Sequence, residues 1–185
     1  MIINVMMERF HDSLRHYIIE LTDHYCQMKL TAFLILCTLQ AAFSQTVKFN
    51  LEDTKSNARS YDELKGETLT VVDFWATWCK PCLQSIPHLI TLQEEFKAKG
   101  VNFVGISVDG PRSVSKVSPL SESLKFNYPV LLDFNNDIMR QYNVANVPSL
   151  AIVNSKNKIV YFHEGYNAGD EKKLKSKIEE LLNSK

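Results

Sequence analysis

Two cysteines with the spacing of a redox pair, Cys79 and Cys82, stand between an apolar run and an amphipathic segment. The run spans 69–74 and the segment begins at Leu83, so the order predicts a strand, a tight loop and a helix with both cysteines at its entrance. Free backbone N–H groups and the positive end of the helix dipole stabilise a negative charge at that position. Because the thiolate is the form of cysteine that attacks a disulfide, the position favours a reactive thiol.

The spacing also predicts different tasks for the two thiols. Cys82 lies three places after Cys79, so it points to nearly the same side of the helix and can reach the sulfur of Cys79. We therefore expect Cys79 to attack, a mixed disulfide to form, and Cys82 to resolve it. Lys80 adds a positive charge that favours the thiolate, and the backbone angle of Pro81 suits a first helical turn. Both residues are expected to tune the redox pair.

Half of a zinc site and a purely structural disulfide are the alternative interpretations of this pair. The sequence has no second pair of this kind, and two thiolates do not fill a tetrahedral zinc site. His88 is the nearest candidate for a third ligand, but it falls roughly on the opposite face of the helix from Cys79. We prefer redox exchange and expect no metal and no cofactor.

Motifs around the pair resemble the thioredoxin superfamily. The residues Val-Val-Asp-Phe-Trp-Ala at 71–76, followed by Trp-Cys-Lys-Pro-Cys at 78–82, are similar to the thioredoxin active-site signature, and Val-Pro-Ser at 147–149 resembles the cis-proline loop. The resemblance covers 47–182 and is closest to the TlpA/ResA-like branch, which works outside the cytoplasm. It implies an α/β thioredoxin fold, which is a mixed central sheet with helices on both faces and a TlpA-like helix–strand insertion.

The same resemblance implies roles for further residues. Asp73 would be a buried carboxylate below Cys82, and a pKa raised by burial would let it exchange protons near neutral pH and activate the resolving thiol. A cis bond would place Pro148 against the cysteines, and the Val147 backbone would pair with an incoming polypeptide as an added strand. Trp78 is expected to contact substrate. The alternatives are a solvated carboxylate at 73, an ordinary trans proline at 148 and core packing at 78.

The chain departs from the family pattern at two positions near this site. Thioredoxins commonly pair the buried acid with a lysine on the next strand, where this chain has Gly105. Many TlpA-like proteins carry a glutamate where this chain has Ser85. The resemblance therefore does not fix how strongly the pKa of the buried acid is shifted.

The amino-terminal sequence suggests export. Met28 and Lys29 precede an apolar run over 30–43 that ends in small residues before Gln45. The run is shorter than the roughly 20 residues of a membrane span, so we predict a signal peptide over 28–44, cleaved before Gln45. Residues 1–27 would be an upstream extension, with translation beginning at Met28 as our preferred explanation, and 45–185 the thioredoxin-like domain. An uncleaved anchor and lipidation at Cys37 are the alternatives.

Cysteine usage and charge restrict the function further. Cys26 and Cys37 precede the predicted cleavage site, so the mature chain would keep only the pair at 79 and 82, as expected for a redox motif rather than a disulfide framework. The 21 basic and 21 acidic residues balance, so no nucleic-acid or anionic-membrane partner is indicated. The sequence does not indicate an oligomeric state.

We expect an extracytoplasmic thiol–disulfide oxidoreductase that exchanges disulfides with envelope proteins. Reduction is the preferred direction, on the strength of the resemblance, and an upstream membrane thiol would supply the electrons. One alternative is a Cu(I) or apo-cytochrome carrier that uses the two thiols as ligands, since Cu(I) favours soft thiolates. The other alternative is a peroxiredoxin-like peroxidase, whose thiolate reduces peroxide.

The other elements are predicted from periodicity and turn signals. We expect an edge strand over 47–51 and, from capping-box spacing, a short helix between Ser60 and Gly66. The predicted helices and strands that follow are a helix over 83–99, strands over 101–108 and 128–132, a helix over 137–142, a hairpin of 150–153 with 159–162, and a final helix that buries Leu174 and Ile178.

Overall fold

The computed structural model describes Lys29 and residues 46–184. Contacts divide the chain into two units, residues 1–45 and residues 46–185. The predicted upstream extension, the predicted signal peptide except Lys29, and Cys26 and Cys37 lie outside the described residues. The architecture below is that of the second unit.

A mixed sheet of seven strands forms the centre of residues 46–184, in the order β2-β1-β5-β4-β3-β6-β7. The strands are β1 (Asn50–Asp53), β2 (Ala58–Ser60), β3 (Leu69–Trp75), β4 (Val101–Ser107), β5 (Val130–Leu132), β6 (Ser149–Asn154) and β7 (Ile159–Glu164). Strand β3 runs parallel to β4 and antiparallel to β6. Every residue of β3 is buried, as expected for a strand covered on both faces.

Helices pack on both faces of this sheet. They are α1 (Tyr61–Leu64), α2 (Lys80–Lys97), α3 (Val117–Ser123), α4 (Asp137–Gln141) and α5 (Asp170–Asn183), with a 3₁₀ turn at Val114–Lys116. One core cluster joins Val72 and Phe74 to residues of α1, α3 and α4. A second cluster joins Val71 to Leu89 of α2 and Ile178 of α5. Alternate residues of β3 therefore face different helix layers, and the predicted α/β thioredoxin fold with its helix–strand insertion (α3 and β5) is confirmed.

The prediction of an edge strand over 47–51 is wrong in its bounds and its position. The strand begins at Asn50 and lies between β2 and β5, because the short polar stretch 58–60 pairs with it and takes the edge. Val47 and Phe49 are buried by packing in the core rather than by strand pairing. The alternation of apolar and polar residues over 47–49 therefore reflects burial in the core and not strand pairing.

Helix starts also differ from the sequence pattern. Helix α2 begins at Lys80 rather than at residue 83, since Cys79 occupies the N-cap position and Pro81 lies in the first turn. Ser60 is the N-cap of α1, but its side chain makes no capping hydrogen bond, and the helix is a single turn of four residues. Strand β5 begins at Val130, after Pro129, rather than at residue 128.

Candidate active site

The two cysteines are joined by a disulfide at the start of α2. The Sγ atoms of Cys79 and Cys82 are 1.96 Å apart, and their Cα atoms are 5.3 Å apart. Cys79 has an extended backbone at the N-cap position, and the backbone N–H of Cys82 donates a hydrogen bond to Cys79 Sγ over 3.2 Å. The sulfur of Cys79 therefore lies at the positive end of an 18-residue helix, where a thiolate is stabilised.

Exposure distinguishes the residues around the disulfide. Cys82 is fully buried, whereas Cys79 keeps a small exposed fraction of 4%. Lys80 is exposed and Pro81 is half-buried. Trp78 is 66% exposed, which makes it the most exposed of the large apolar side chains in residues 46–184. The outer surface of the site thus consists of Trp78 and Lys80, with Cys79 as the cysteine nearer to solvent.

Trp75 has a different place from its neighbour Trp78. It is fully buried, and its ring lies 5.1 Å from that of Phe126, with a tilt of 31° between the planes. Core packing therefore explains Trp75, while the exposed ring of Trp78 is free of that constraint.

Asp73 is a buried carboxyl group in the middle of β3. It pairs in register with Gly105 on one side and Leu150 on the other, and only 2% of the residue is exposed. Its Oδ2 atom has no hydrogen-bond partner. Burial disfavours the charged form and raises the pKa of Asp73 to about 7. A carboxyl group with this pKa can accept and release a proton at neutral pH.

The loop before β6 brings Pro148 to the same region. The Val147–Pro148 peptide bond is cis, and Pro148 is buried. The carbonyl oxygen of Pro148 accepts a hydrogen bond from Gly165 N over 2.8 Å, and Ser149 Oγ donates to Asn146 O over 2.7 Å. Pro148 and Asp73 line one cavity together with Ser85. The structure thus brings together three residues that lie far apart in the sequence.

The two departures from the family pattern have structural counterparts. A Cβ atom at Gly105 would lie 3.3 Å from Trp75 Nε1 and 3.4 Å from Tyr128 Cε2, so aromatic rings fill the place of a longer side chain. Burial, with a contribution from the nearby charge of Asp73, raises the pKa of Tyr128 well above its ordinary value. Ser85 is buried, and its hydroxyl donates to the carbonyl oxygen of Cys82 over 2.9 Å. Neither position supplies a charged partner for Asp73.

Asp109 belongs to the site and is absent from the sequence-based predictions. It is fully buried after β4, and its carboxylate accepts hydrogen bonds from Thr77 N over 2.7 Å and from Thr77 Oγ1 over 2.6 Å. Ser107 Oγ donates to the same carboxylate over 3.0 Å. An acid directly after a buried strand was the signal available in the sequence, but its partner could be found only from the packing of β3 beside β4.

Within Lys29 and residues 46–184, no group of three or more His, Cys, Asp and Glu side chains is placed to hold a metal ion. None of the helices in the described part of the chain combines the length and apolar character that crossing a membrane requires.

Comparisons with known proteins agree with this geometry. The AhpC/TSA family matches residues 43–162. The thiol–disulfide oxidoreductase ResA of Bacillus subtilis (strain 168) is 32% identical over 117 residues, which span 63% of this chain and 64% of that relative, just under two thirds of its length. The thioredoxin-like protein YneN of the same organism is 31% identical over 65% of this chain and 70% of the relative. A solved thioredoxin-like protein from Porphyromonas gingivalis superposes with a TM-score of 0.64 at 31% identity, covering 76% of this chain and 94% of that structure.

Proposed function

The chain belongs to the AhpC/TSA family, and from this premise we propose that it reduces disulfides of proteins outside the cytoplasm. The thioredoxin-like thiol–disulfide oxidoreductase class predicted from the sequence is confirmed by relatives of that name. The observation that carries the proposal is the disulfide between Cys79 and Cys82 at the first turn of α2. Its clients are disulfide-bearing envelope proteins, and an upstream membrane thiol returns it to the dithiol form.

The reaction begins with the reduced protein. The Cys79 thiolate attacks one sulfur of the client disulfide, a mixed disulfide forms, and the first client sulfur leaves as a thiolate. The Cys82 thiol then transfers its proton to the Asp73 carboxylate, and the resulting thiolate attacks Cys79 Sγ. The second client sulfur leaves, the client gains two electrons, and the enzyme ends with the Cys79–Cys82 disulfide.

Substrate contacts are assigned to the surface around Cys79. Trp78 offers an exposed apolar ring to the client next to the attacking sulfur. Val147, half-buried before the cis Pro148, pairs its backbone with the client chain as an added strand. Lys80 and Pro81 favour the Cys79 thiolate through charge and through the fixed start of α2.

The proposed site of action rests on the amino-terminal sequence and the TlpA/ResA-like resemblance. Residues 28–44 act as the signal peptide, and the mature domain begins at Gln45. Mass spectrometry of the exported protein tests this proposal. A mature chain that begins at Gln45 supports it, and one that begins before Met28 excludes it.

Trapping of client proteins tests the exchange reaction itself. The Cys82→Ser variant lacks the resolving thiol, so it should accumulate mixed disulfides through Cys79 that dithiothreitol releases. The Cys79→Ser variant is the matched control, because it keeps one active-site thiol and should trap nothing and reduce no insulin. Recovery of no adduct with Cys82→Ser, or near-normal turnover with Cys79→Ser, would contradict the mechanism.

The direction of exchange and the alternatives need different measurements. The equilibrium potential of the pair against glutathione tests reduction, since proteins with related chemistry range from about −270 mV to −120 mV. A potential near the upper end would make the protein an oxidant. A Cu(I) carrier would bind Cu(I) tightly and reduce insulin negligibly, and a peroxidase would show fast oxidation of Cys79 that depends on peroxide.

A further inference from the structure

A cavity lies against the buried carboxyl group of Asp73, on the face of the sheet that α2 and α5 cover. Its wall includes Asp73, Ser85, Pro148, His163 and Asp170. The volume of the cavity is about 40 Å³. Because one water needs about 10–15 Å³ of such volume, the cavity has room for more than one water molecule.

Strand register places Asp73 and His163, which both line this cavity, in one row. Asp73 of β3 pairs with Leu150 of β6, and Leu150 pairs with His163 of β7. Residues directly opposite each other on neighbouring strands point to the same face of the sheet. The side chains of Asp73 and His163 therefore lie on one face, with a single residue, Leu150, between them.

Two buried polar atoms in this row have no hydrogen-bond partner. They are Asp73 Oδ2 and His163 Nε2, and both residues line the cavity. An unpaired buried polar atom costs free energy, so such atoms are normally satisfied by protein or by ordered water. Because the cavity has room for water and both residues line it, a bridging water between their unpaired atoms is expected there.

We propose that water in this cavity connects Asp73 to His163, and that His163 is a positioning residue that carries the proton of Asp73 to solvent. The proposal rests on the proposed exchange reaction, because it concerns the proton that Cys82 gives to Asp73. Its basis is the shared cavity, the register and the two unpaired atoms.

The route has a clear exit at His163. Its side chain is 36% exposed although its Nε2 atom is buried, so the ring reaches from the cavity to the surface. By contrast, only 2% of Asp73 is exposed, and it lies in a strand that is buried throughout. An imidazole is also the side chain best suited to take up and release protons near neutral pH.

Asp170 places a carboxyl group beside this imidazole. Asp170 Oδ2 lies 3.4 Å from His163 Nε2, although the two atoms are not aligned for a hydrogen bond. Asp170 Oδ1 lies 2.8 Å from Lys173 Nζ. The hydrogen bond from Lys173 and that from Asn167 N lower the pKa of Asp170 to about 2, so it is ionised at neutral pH. The titratable and charged side chains that line the cavity are Asp73 of β3, His88 of α2, Tyr161 and His163 of β7, Tyr166, and Asp170, Glu171 and Lys173 of α5. Tyr128 faces Asp73 from outside the cavity.

The proton transfers themselves move no electrons. The Asp73 carboxylate takes a proton from the Cys82 thiol and becomes a neutral acid, while the Cys82 thiolate attacks Cys79 Sγ and the second client sulfur leaves as a thiolate. The neutral acid then passes its proton to a cavity water, which passes one to His163. The imidazolium releases a proton to solvent, so that Asp73 is again a carboxylate and His163 is again a neutral imidazole.

The second stage of disulfide reduction isolates this step. The reduced full-length chain, carrying Cys26→Ser and Cys37→Ser, is mixed with the disulfide of thionitrobenzoate. The first thionitrobenzoate released reports attack by Cys79, and the second reports resolution by Cys82. The second rate is measured from pH 6 to pH 9 in the parent chain, in His163→Gln and in His163→Ala. Glutamine keeps polar groups at this position but cannot take up and release a proton in this pH range.

A role in proton transfer gives a specific pattern. A group that transfers a proton directly to or from the reacting atom accelerates a reaction about 100-fold or more. His163 acts through Asp73 and should contribute less, so we expect His163→Gln to slow resolution by Cys82 about tenfold near pH 7. The loss should shrink at pH 9, where hydroxide removes the Cys82 proton. Added imidazole should restore the rate of His163→Ala, because it can carry the proton in place of the missing ring. The rate of the first release should not change.

His88→Gln is the matched control, since His88 lines the same cavity but is exposed on α2. An equal loss in His88→Gln, a pH profile of His163→Gln that coincides with the parent, or a uniform loss at every pH would overturn the proposal. If His163→Ala does not fold, the pH profile of His163→Gln decides alone. Insulin reduction by the unaltered chain distinguishes failure of the relay from failure of the proposed function. If the unaltered chain reduces insulin but the pH profiles of the parent and His163→Gln coincide, the relay is refuted and the proposed function stands.

Discussion

Asp109 holds Thr77 through both oxygens of its carboxylate. Thr77 N donates to Oδ2 over 2.7 Å, and Thr77 Oγ1 donates to Oδ1 over 2.6 Å. Thr77 follows β3 and Asp109 follows β4, which are parallel neighbours whose carboxyl ends meet. Since Thr77 lies two residues before Cys79, this contact fixes the loop that sets the cysteine at the start of α2.

Replacement of Asp109 by Asn should weaken both the fold and the site. The amide places an N–H donor against one of the two Thr77 donors, and hydrogen bonds to buried charged groups contribute about 1.5–3 kcal/mol each. We expect urea denaturation to show a loss of about 2–3 kcal/mol in the free energy of unfolding and a slower attack by Cys79. Asp137→Asn is the control, because Asp137 forms an exposed pair with Arg140 and should change stability by less than about 1 kcal/mol. Equal effects of the two variants would show that Asp109 has no special role.

Asp73 should make the stability of the protein depend on pH in an uncommon direction. Burial raises its folded pKa from 3.8 to about 7, so the native state holds this proton between those values while the unfolded state has lost it. The free energy of unfolding should therefore fall as pH rises from about 4 to above 7, by the order of 4 kcal/mol for three pKa units. Asp73→Asn removes the ionisable group, so the oxidised variant should be more stable than the parent at pH 8, with little difference at pH 4.

Asp170→Asn should change the free energy of unfolding at pH 8 in the opposite direction from Asp73→Asn. The hydrogen bond from Lys173 holds the folded pKa of Asp170 at about 2, below its ordinary value of 3.8. Its stabilisation is present above pH 4 and is lost as pH falls through 2, so this variant should be less stable than the parent at pH 8. A lower stability of Asp73→Asn at pH 8 would contradict the assignment of the raised pKa to burial.

The core of the site was predictable because its signals are local. An apolar run over 69–74 next to two cysteines three positions apart predicted the strand β3, the loop and the disulfide at the helix start. The family resemblance added two further predictions, the mixed sheet and the cis-proline loop at Pro148. The loop lies far from the cysteines in the sequence, so no local signal connects the two. The oxidoreductase class followed from these two stretches together.

The rest depended on contacts between distant segments. Asp109 and His163 acquire their places only when β4 and β7 join the sheet, since each meets its partner across strands. The place of β1 inside the sheet depends on the short strand β2, whose residues Ala-Arg-Ser have no strand signal of their own. A single sequence shows the pattern of burial in such segments but not the strand they pair with.

Gly66 is required by close backbone packing. A Cβ atom there would lie 2.6 Å from Gly100 O and 2.7 Å from Asn102 N, and closer still to Leu69 O. All three atoms belong to the main chain, so no side chain can move aside. Gly66→Ala should destabilise the fold by about 3 kcal/mol in thermal or urea unfolding. Gly110→Ala, whose new Cβ meets nothing within 4 Å, should stay within about 0.5 kcal/mol, and a Gly66→Ala variant as stable as this control would refute the packing argument.

Trp78 should contribute to client binding and not to stability. Its ring is 66% exposed beside Cys79, so removal leaves no cavity in the core. We expect Trp78→Ala to keep the unfolding free energy within about 0.5 kcal/mol. Its kcat/KM for insulin reduction should fall about tenfold, which corresponds to about 1.4 kcal/mol of lost contact at an aromatic anchor.

Phe162→Ala is the matched control for Trp78→Ala, because Phe162 is a 40% exposed aromatic residue on the edge strand β7. It should leave both insulin reduction and reaction with a small disulfide unchanged. Trp78→Ala should slow reaction with insulin more than reaction with a small disulfide, since only a polypeptide client extends onto the ring. Equal slowing with both substrates would instead mean that Trp78 acts on the reactivity of Cys79, through the loop that Asp109 anchors, and not on the client.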